Sequence, residues 1–273
     1  MRIQELLSSL FHAFPAEDAE GWDHVGLQVG DPDAEIARVC CALDATEAYV
    51  REAASRGANV LLTHHPVYIK APDAFTPAAA VRPSSGTVIY EAARLGVSIL
   101  SFHTNLDRSF AARDVLPVLV DLRADSSLEF PDDPSRHGLG AVCQGCGCTL
   151  RELAIRVADA FGTEPRVWGD PGAIIERPAF LGGSLGDLGE LAIAADAQAV
   201  VCGEAGYHIA QDLSIRGCAV ILLGHDRSEE PFTGILADAA RSAGIAPAAI
   251  DIIHGHRQWW TATEGGTVCP AKA

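Results

Sequence analysis

The sequence is short of basic residues, aromatic rings and methionine. Lys and Arg total 20 against 36 Asp and Glu, a formal net charge of −16 with His neutral. Such a chain is poorly suited to gripping nucleic acid through a broad phosphate-contacting surface, although a local basic groove is compatible with it. Aromatic residues make up 6% of the 273 residues and there is one Met, so platforms for stacking single-stranded bases are scarce. No run of about 18 apolar residues occurs, which excludes a membrane-spanning helix by length. The first residues, with Ile3, Leu6, Leu7, Leu10, Phe11 and Phe14 at helical spacing, read as an amphipathic helix rather than a secretory signal. A cytoplasmic protein is therefore expected. On that basis its cysteines are read as reduced thiols or ligands rather than disulfides.

What the chain has in quantity is apolar residues, 48% of the total, enough for a substantial core. Apolar runs alternate with amphipathic stretches. Helices are predicted over 3–14, 46–56, 87–95, 150–161, 186–196, 205–215 and 229–243. Strands are predicted over 37–43, 59–63, 97–102, 178–181, 198–202 and 219–223, while 115–130 is ambiguous. Thr149-Leu150-Arg151-Glu152 has the form of a capping box. The alternation implies an α/β protein with substantially parallel, mixed sheets flanked by helices. The Gly- and Cys-rich stretch 125–148 is the best candidate boundary. Two α/β lobes are expected: residues 1–124, completed by about 225–273, and residues 125–224.

The polar chemistry collects where apolar runs end. NVLLT leads into His64-His65-Pro66, and VSILSF into His103-Thr104-Asn105-Leu106-Asp107. AVVC leads into Gly203-Glu204, with His208 beyond, and AVILL into Gly224-His225, followed by Ser228-Glu229. In open α/β sheets, ligand sites form outside the carboxyl ends of strands. Each piece also has a plain structural reading. His64 and His65 suit either a metal site or two partly buried rings bonded to carbonyls. Asp107 suits a salt bridge with Arg108. Ser228 suits the cap of the last helix, with Glu229 in its first turn and a loop-plus-turn relation to His225. Taken together, imidazoles and carboxylates without a thiolate suit Zn, Mn, Fe or Ni rather than Cu(I) or an iron–sulfur cluster. Three His with Asp and Glu would underfill two ions, leaving positions for water, the arrangement used in metal-assisted hydrolysis.

Five segments in one order carry a resemblance: Trp22-Asp23-His24-Val25-Gly26-Leu27-Gln28-Val29-Gly30, Thr63-His64-His65-Pro66, His103 to Asp107, Gly203-Glu204 with His208, and Gly224-His225 with Ser228-Glu229. In these the chain resembles the NIF-three-like family of dinuclear-metal-centre proteins, also called GTP cyclohydrolase type 2-like. The resemblance implies two α/β lobes in a ring-shaped homohexamer. It implies two divalent metal ions per subunit on His64, His65, Asp107, His225 and Glu229, with Glu229 bridging. It places His103 and His208 in or near the same cavity, supporting the ligands or facing the substrate, and in a hydrolytic reaction one of the two is expected to move a proton. His24 stands where the family usually has Asn, and Asp226 where an aromatic residue is common.

Three other clusters stand out in the chain. Cys143, Cys146 and Cys148 lack a fourth ligand for a closed zinc site unless His137 supplies it. Gly182-Gly183-Ser184-Leu185-Gly186 suits either a tight turn or a phosphate cradle, but lacks the Gly-Lys-Ser/Thr ending of a Walker loop. His254 and His256, with Trp259 and Trp260, suit packing of the tail or a second metal site. The expected activity is hydrolysis of a nucleotide or phosphoester, and no separate cofactor site is expected. A non-catalytic metal-binding ring scaffold, for metal storage or partner docking, is the alternative.

Overall fold

Two sheets contribute to one shared apolar core in the computed structural model, which describes residues 1–77 and 84–255. The strands are β1 (Gly26–Val29), β2 (Val39–Ala42), β3 (Val60–Thr63), β4 (Ser98–Ser101), β5 (Ala124–Ser126), β6 (Ala141–Cys143), β7 (Cys148–Thr149), β8 (Arg166–Trp168), β9 (Ile174–Ile175), β10 (Pro178–Phe180), β11 (Ala199–Cys202), β12 (Ala219–Leu222) and β13 (Ile250–Ile252). The helices are α1 (Ile3–Ala13), α2 (Glu47–Ser55), α3 (Ser84–Leu95), α4 (Thr104–Asp107), α5 (Phe110–Val118), α6 (Leu150–Phe161), α7 (Gly189–Ala194), α8 (Tyr207–Ile215), α9 (His225–Glu229) and α10 (Phe232–Ser242).

The first sheet has the order β1-β4-β3-β2-β13. Four of its strands run parallel, and β1 joins β4 antiparallel. The second has the order β5-β6-β10-β11-β12-β8, with β10, β11 and β12 parallel and the rest antiparallel. The fold is therefore mixed α/β. The strands β2, β3, β4 and β11 are buried at every residue, as continuous apolar runs covered on both faces should be. One face of the first sheet carries α2 and α3, through Tyr49, Val50, Ala53, Val88 and Ala92. One face of the second carries α7 and α8, through Ala192, Ala210 and Leu213. Between them lies the shared core, where Leu100 and Phe102 meet Phe180, Leu236 and the buried stripe of α1, Ile3, Leu6 and Leu10.

Local chemistry explains the element ends. Thr46 caps α2 by accepting from the Tyr49 N–H at 3.2 Å. The capping box at α6 forms in both directions: Thr149 Oγ1 accepts from Glu152 N, and Glu152 Oε2 accepts from Thr149 N. That helix stops at Gly162, in the left-handed conformation at φ 58°. The ambiguous stretch 115–130 holds the end of α5 and all of β5. The helix predicted over 186–196 is a 3₁₀ turn, Gly186–Leu188, continued by α7.

The helix predicted over 229–243 is two helices. Pro231 has no N–H to give to an α-helical ladder, and it separates α9 from α10. Among the described residues no helix is long and apolar enough to cross a membrane. His256, Trp259, Trp260 and Cys269 lie outside the described residues.

Candidate metal centre

The carboxyl ends of parallel strands from both sheets deliver imidazoles to one place. After β3, the His64 and His65 N–H groups still donate to Ala42 and Leu43 of the neighbouring strand end. The two rings lie side by side, centroids 5.1 Å apart. After β4, the Phe102 N–H donates to Thr63 O, and His103 follows as the residue capping α4. After β12, Gly224 turns the chain at φ 97°, a conformation open to glycine, and α9 begins at once with His225.

The nitrogen atoms converge on one carboxylate. Glu229 Oε2 lies 2.8 Å from His65 Nε2 and 3.1 Å from His225 Nε2. Its other oxygen, Oε1, lies 3.8 Å from His64 Nε2, which is itself 3.5 Å from Asp107 Oδ1. Two groups of potential ligands result, one of His64, His65 and His103 and one of His65, His225 and Glu229. Separations of this size are those of donors sharing an ion about 2.0–2.2 Å from each.

The outer nitrogens of the four rings are held just as consistently. His64 Nδ1–H donates to the Phe102 carbonyl at 3.0 Å, and His65 Nδ1–H to Asp44 at 2.8 Å. His103 Nδ1–H donates to Asp23 at 3.0 Å, and His225 Nδ1–H to Glu204 at 3.0 Å. Each acceptor is a carbonyl or carboxylate oxygen, so the ring must supply the proton at Nδ1. In the neutral ring that leaves the Nε2 lone pair for the interior. Imidazoles that bind metals are oriented in this way.

Within the cluster, two buried atoms of the described residues then remain without a hydrogen-bond partner, His64 Nε2 and Asp107 Oδ1. Leaving such atoms unpaired costs about 1–3 kcal/mol each. They face one another, and a cation satisfies both. The donor set, imidazole nitrogen and carboxylate oxygen, also suits a divalent ion, so the residues present fit a metal.

The electrostatics point the same way. Burial disfavours the charged His65 ring, but the hydrogen bonds it donates to Asp44 and Glu229 outweigh it and raise the pKa to about 10. A hydrogen bond to Glu229 is the main cause of the rise of His225 to about 9. Burial, and then the Glu229 charge, raise Asp107 to about 7. Burial alone would raise Glu229, yet the bonds from His225 and His65, with the His64 ring close by, hold it well below the usual carboxylate range. His64, fully buried, is shifted downward by desolvation. The cluster attracts positive charge and holds it on protons when no metal is there.

The structure brings His64, His65, Asp107, His225 and Glu229 together, and His103 joins them through its ring contacts with His64 and His65 at 5.2 and 5.6 Å. It does not place His208 among them: that residue is exposed on α8 and lines a neighbouring hollow with Gly186, Asp187 and Glu190. The reason is that α8 starts three residues beyond Glu204, so only Glu204 stays at the strand end. His225 and Glu229 are a true helical pair on α9, not a loop-plus-turn pair. Ser228 is no helix cap: its hydroxyl donates to His225 O and accepts from Gly183 N–H. Arg108 pairs with Glu20 and Glu129 and leaves Asp107 to the cluster.

Asp44, Asp23 and the Phe102 carbonyl are the functional groups that the strand-end pattern did not single out, and Glu204, which it did, orients His225. Asp23 lies in the Trp22–Gly30 motif ahead of β1, while Asp44 directly follows the apolar run 37–43, where the strand-end rule reaches it. Gly183 is a further one. A Cβ there would lie 2.3 Å from Glu229 Oε1, and its φ is 65°. Its N–H is engaged by Ser228, so this loop is a close-packing device against the cluster rather than a phosphate cradle. The loop also has the Gly-x-Ser-x-Gly spacing of a nucleophile elbow, but Ser184 is exposed and bonds no histidine among the described residues.

His137 pairs with Asp18 at 3.0 Å instead of joining the cysteines, and His254 pairs with Glu230 at 3.0 Å. His24 donates from Nε2 to the Ile69 carbonyl at 3.1 Å. Two cavities flank the cluster. One, of about 810 Å³, is bounded by Asp44, His65, Arg166, Glu204, His225 and Asp226. The other, of about 610 Å³, is bounded by Trp22, His103, Asp107, Leu181, Glu229 and Phe232.

Comparison with known proteins places these features in a family setting. The family described as Duf34/NIF3 (NGG1p interacting factor 3) matches residues 1–253. A protein of Streptomyces coelicolor named "GTP cyclohydrolase 1 type 2 homolog" is 36% identical over 214 residues, 76% of this chain and 74% of that one. One of the same name from Clostridium perfringens is 27% identical over 234 residues, 85% of this chain and 88% of that one. Among solved structures, a Bacillus cereus protein related to NIF3 superposes with a TM-score of 0.86 at 18% identity, covering 96% of this chain and 99% of that one. A hypothetical protein of Staphylococcus aureus gives 0.81 at 24% identity, with 93% and 96% covered. At these identities the structural matches establish the fold.

Proposed function

The chain belongs to the Duf34/NIF3 family, and on that premise we propose that it is a divalent-metal-dependent hydrolase with a dinuclear centre. The observation that carries the reading is the division of Glu229. One of its oxygens faces His65 and His225, and the other faces His64, beside the unpartnered Asp107 Oδ1. In this reading His64, Asp107 and Glu229 would hold one ion, and His65, His225 and Glu229 would hold the other. The metals are drawn from Zn, Mn, Fe or Ni.

When bound, such ions supply the Lewis acidity that activates water and polarises the substrate. The chain supplies orientation. The Phe102 carbonyl, Asp44 and Glu204 fix the three metal-facing rings, so that little reorganisation is needed as charge develops. His103 moves the proton: Asp23 holds its Nδ1–H, which leaves Nε2 to accept a proton and return it. His208 has no part in this, given its place on α8. Phe232, edge-on to His64 at 5.1 Å, closes the apolar side against water. The substrate class is a nucleotide or phosphoester, in line with the names of the relatives. The homohexamer belongs to the same proposal, and light scattering on the purified protein tests it.

The deciding experiment pairs metal analysis with turnover. Protein purified without chelator is assayed for metal per chain and against a panel of nucleoside triphosphates and phosphoesters, beside His64→Ala/Glu229→Ala and His103→Gln. Near two equivalents, lost in the double variant, with hydrolysis abolished by chelator and reduced in His103→Gln, is the expected result. Metal retained by the double variant overturns the site. Metal bound without turnover of any member of the panel favours the non-catalytic scaffold instead.

A further inference from the structure

The cysteines between the two sheets carry a chemistry that the metal centre does not use. Cys143, on β6, is fully buried and packs in the shared core. Cys148 belongs to the same core and Cys146 packs against its edge, on a turn that reaches solvent. Their sulfur atoms lie 3.1 Å apart, about 1 Å beyond the roughly 2.05 Å of a disulfide bond. Cys146 is half-buried, and Cys148, at the start of β7, is 9% exposed.

The connecting backbone is permissive. Gly145 and Gly147 both hold positive φ, 71° and 59°. A Cβ at Gly145 would meet nothing within 4 Å, and one at Gly147 would meet only Glu176 Oε2, at 3.9 Å. The turn therefore has open space around it and glycine freedom on both sides of Cys146. The small closing movement that bonding requires falls on this turn rather than on the core.

We propose that Cys146 and Cys148 form a redox-active dithiol that exchanges with low-molecular-weight disulfides. Cys146, the more accessible sulfur, loses its proton to solvent and attacks one sulfur of the small disulfide. A mixed disulfide forms, and the first small thiolate leaves and takes up a proton. Cys148 then loses its proton, attacks the Cys146 sulfur and expels the second thiolate, which is protonated in turn. The protein dithiol is oxidised by two electrons, one small disulfide is reduced to two thiols, and the two protons end on those thiols.

The ring closed by this bond contains a single intervening residue, Gly147. A loop so short removes little entropy from the unfolded chain, so the bond is not a stabilising staple. Its consequence is local. It tightens the turn entering β7, which pairs with β9 and ends on Thr149, the cap of α6. Burial, with the neighbouring Cys148 thiol, holds the Cys146 thiol up at about 12, against the opposing charge of Arg156. Exchange is therefore slow at neutral pH and accelerates with alkali.

The test uses the full chain in mixtures of reduced and oxidised glutathione, quenched by alkylation, with intact mass and peptide mapping as readouts. The expected result is the loss of two hydrogen masses per chain, mapped to a Cys146–Cys148 bond and reversed by excess reduced glutathione. Cys148→Ser should stop at a glutathione adduct on Cys146, and Cys146→Ser should form neither bond nor adduct. Circular dichroism checks both variants, and the wild-type peptide map stands even if Cys148→Ser fails to fold. Two free thiols at the most oxidising ratio overturn the proposal, and so does a bond mapped to Cys143. Neither outcome depends on metal binding or hydrolysis.

Discussion

Replacing Gly183 by alanine separates backbone strain from damage to the cluster. The residue holds φ 65°, and an L residue there costs about 1–2 kcal/mol. The added Cβ also lands 2.3 Å from Glu229 Oε1, where ordinary contact begins at 3.4 Å. The carboxylate must therefore retreat by about 1 Å, roughly twice the tolerance of a preorganised site. Glu229 is buried, and the Gly183 backbone is tied to Ser228, so neither side yields easily. Gly162→Ala is the matched control, with φ 58° and nothing within 4 Å of the new Cβ. In metal-free protein both variants should lose stability, Gly183→Ala somewhat more, at about 2–4 °C of melting temperature per kcal/mol. Metal analysis after dialysis should distinguish them. Gly162→Ala keeps wild-type metal, while Gly183→Ala falls at least tenfold in affinity. Wild-type stoichiometry and affinity in Gly183→Ala would refute the placement of this loop against Glu229.

Three further predictions follow from other contacts. Asp44→Asn removes the carboxylate that orients His65 and should weaken metal binding about 10–100-fold, read by competition with a chromogenic chelator, with little change in folding. Phe102→Ala deletes a fully buried ring packed on Phe11 and Phe14, and should cost about 3–5 kcal/mol in chemical denaturation.

The pH dependence of the metal-free fold has a definite sign. His65 and His225 stand at about 10 and 9 when folded, against an ordinary 6.5. Their contribution is full below that ordinary value and is lost as pH rises toward the folded values. Asp107, raised to about 7 from 3.8, acts in the same sense at lower pH. Glu229, lowered from 4.5, acts oppositely and loses its contribution in acid. Denaturant titrations of apoprotein should therefore show lower stability at alkaline than at neutral pH. Metal binding at neutral pH should release protons, seen as a buffer-dependent heat in calorimetry. A flat alkaline limb with no proton release would contradict the hydrogen bonds assigned to Glu229.

Much of the fold is written in local patterns. Continuous apolar runs such as VLLT and AVVC mark strands buried on both faces, and Thr149 with Glu152 marks a helix start by two adjacent hydrogen bonds. Pro231 shows the limit of periodicity. The hydrophobic pattern runs on through it, while the missing N–H divides the helix and leaves His225 and Glu229 on a turn of their own. The candidate site was legible to the extent that it obeys the rule of strand ends. His64, His65, His103 and His225 follow apolar strands, and each resides where that rule puts it. His208 follows a strand at a greater distance, and α8 carries it away.

The sequence by itself determined the main buried strands, the capping box at Thr149 and which side chains stand at the ends of strands, because these follow from near-neighbour sterics and from the burial of apolar runs. Only the tertiary structure decided which of those side chains meet. His65 and Glu229 are 164 positions apart yet 2.8 Å from one another, because β3 and β12 belong to different sheets that share one core. The same packing chose Asp44, Asp23, Glu204 and a backbone carbonyl as partners for the four rings, and set Gly183 where no side chain fits. No periodicity encodes such choices, since each depends on where a strand end in one sheet falls against a helix that follows the other.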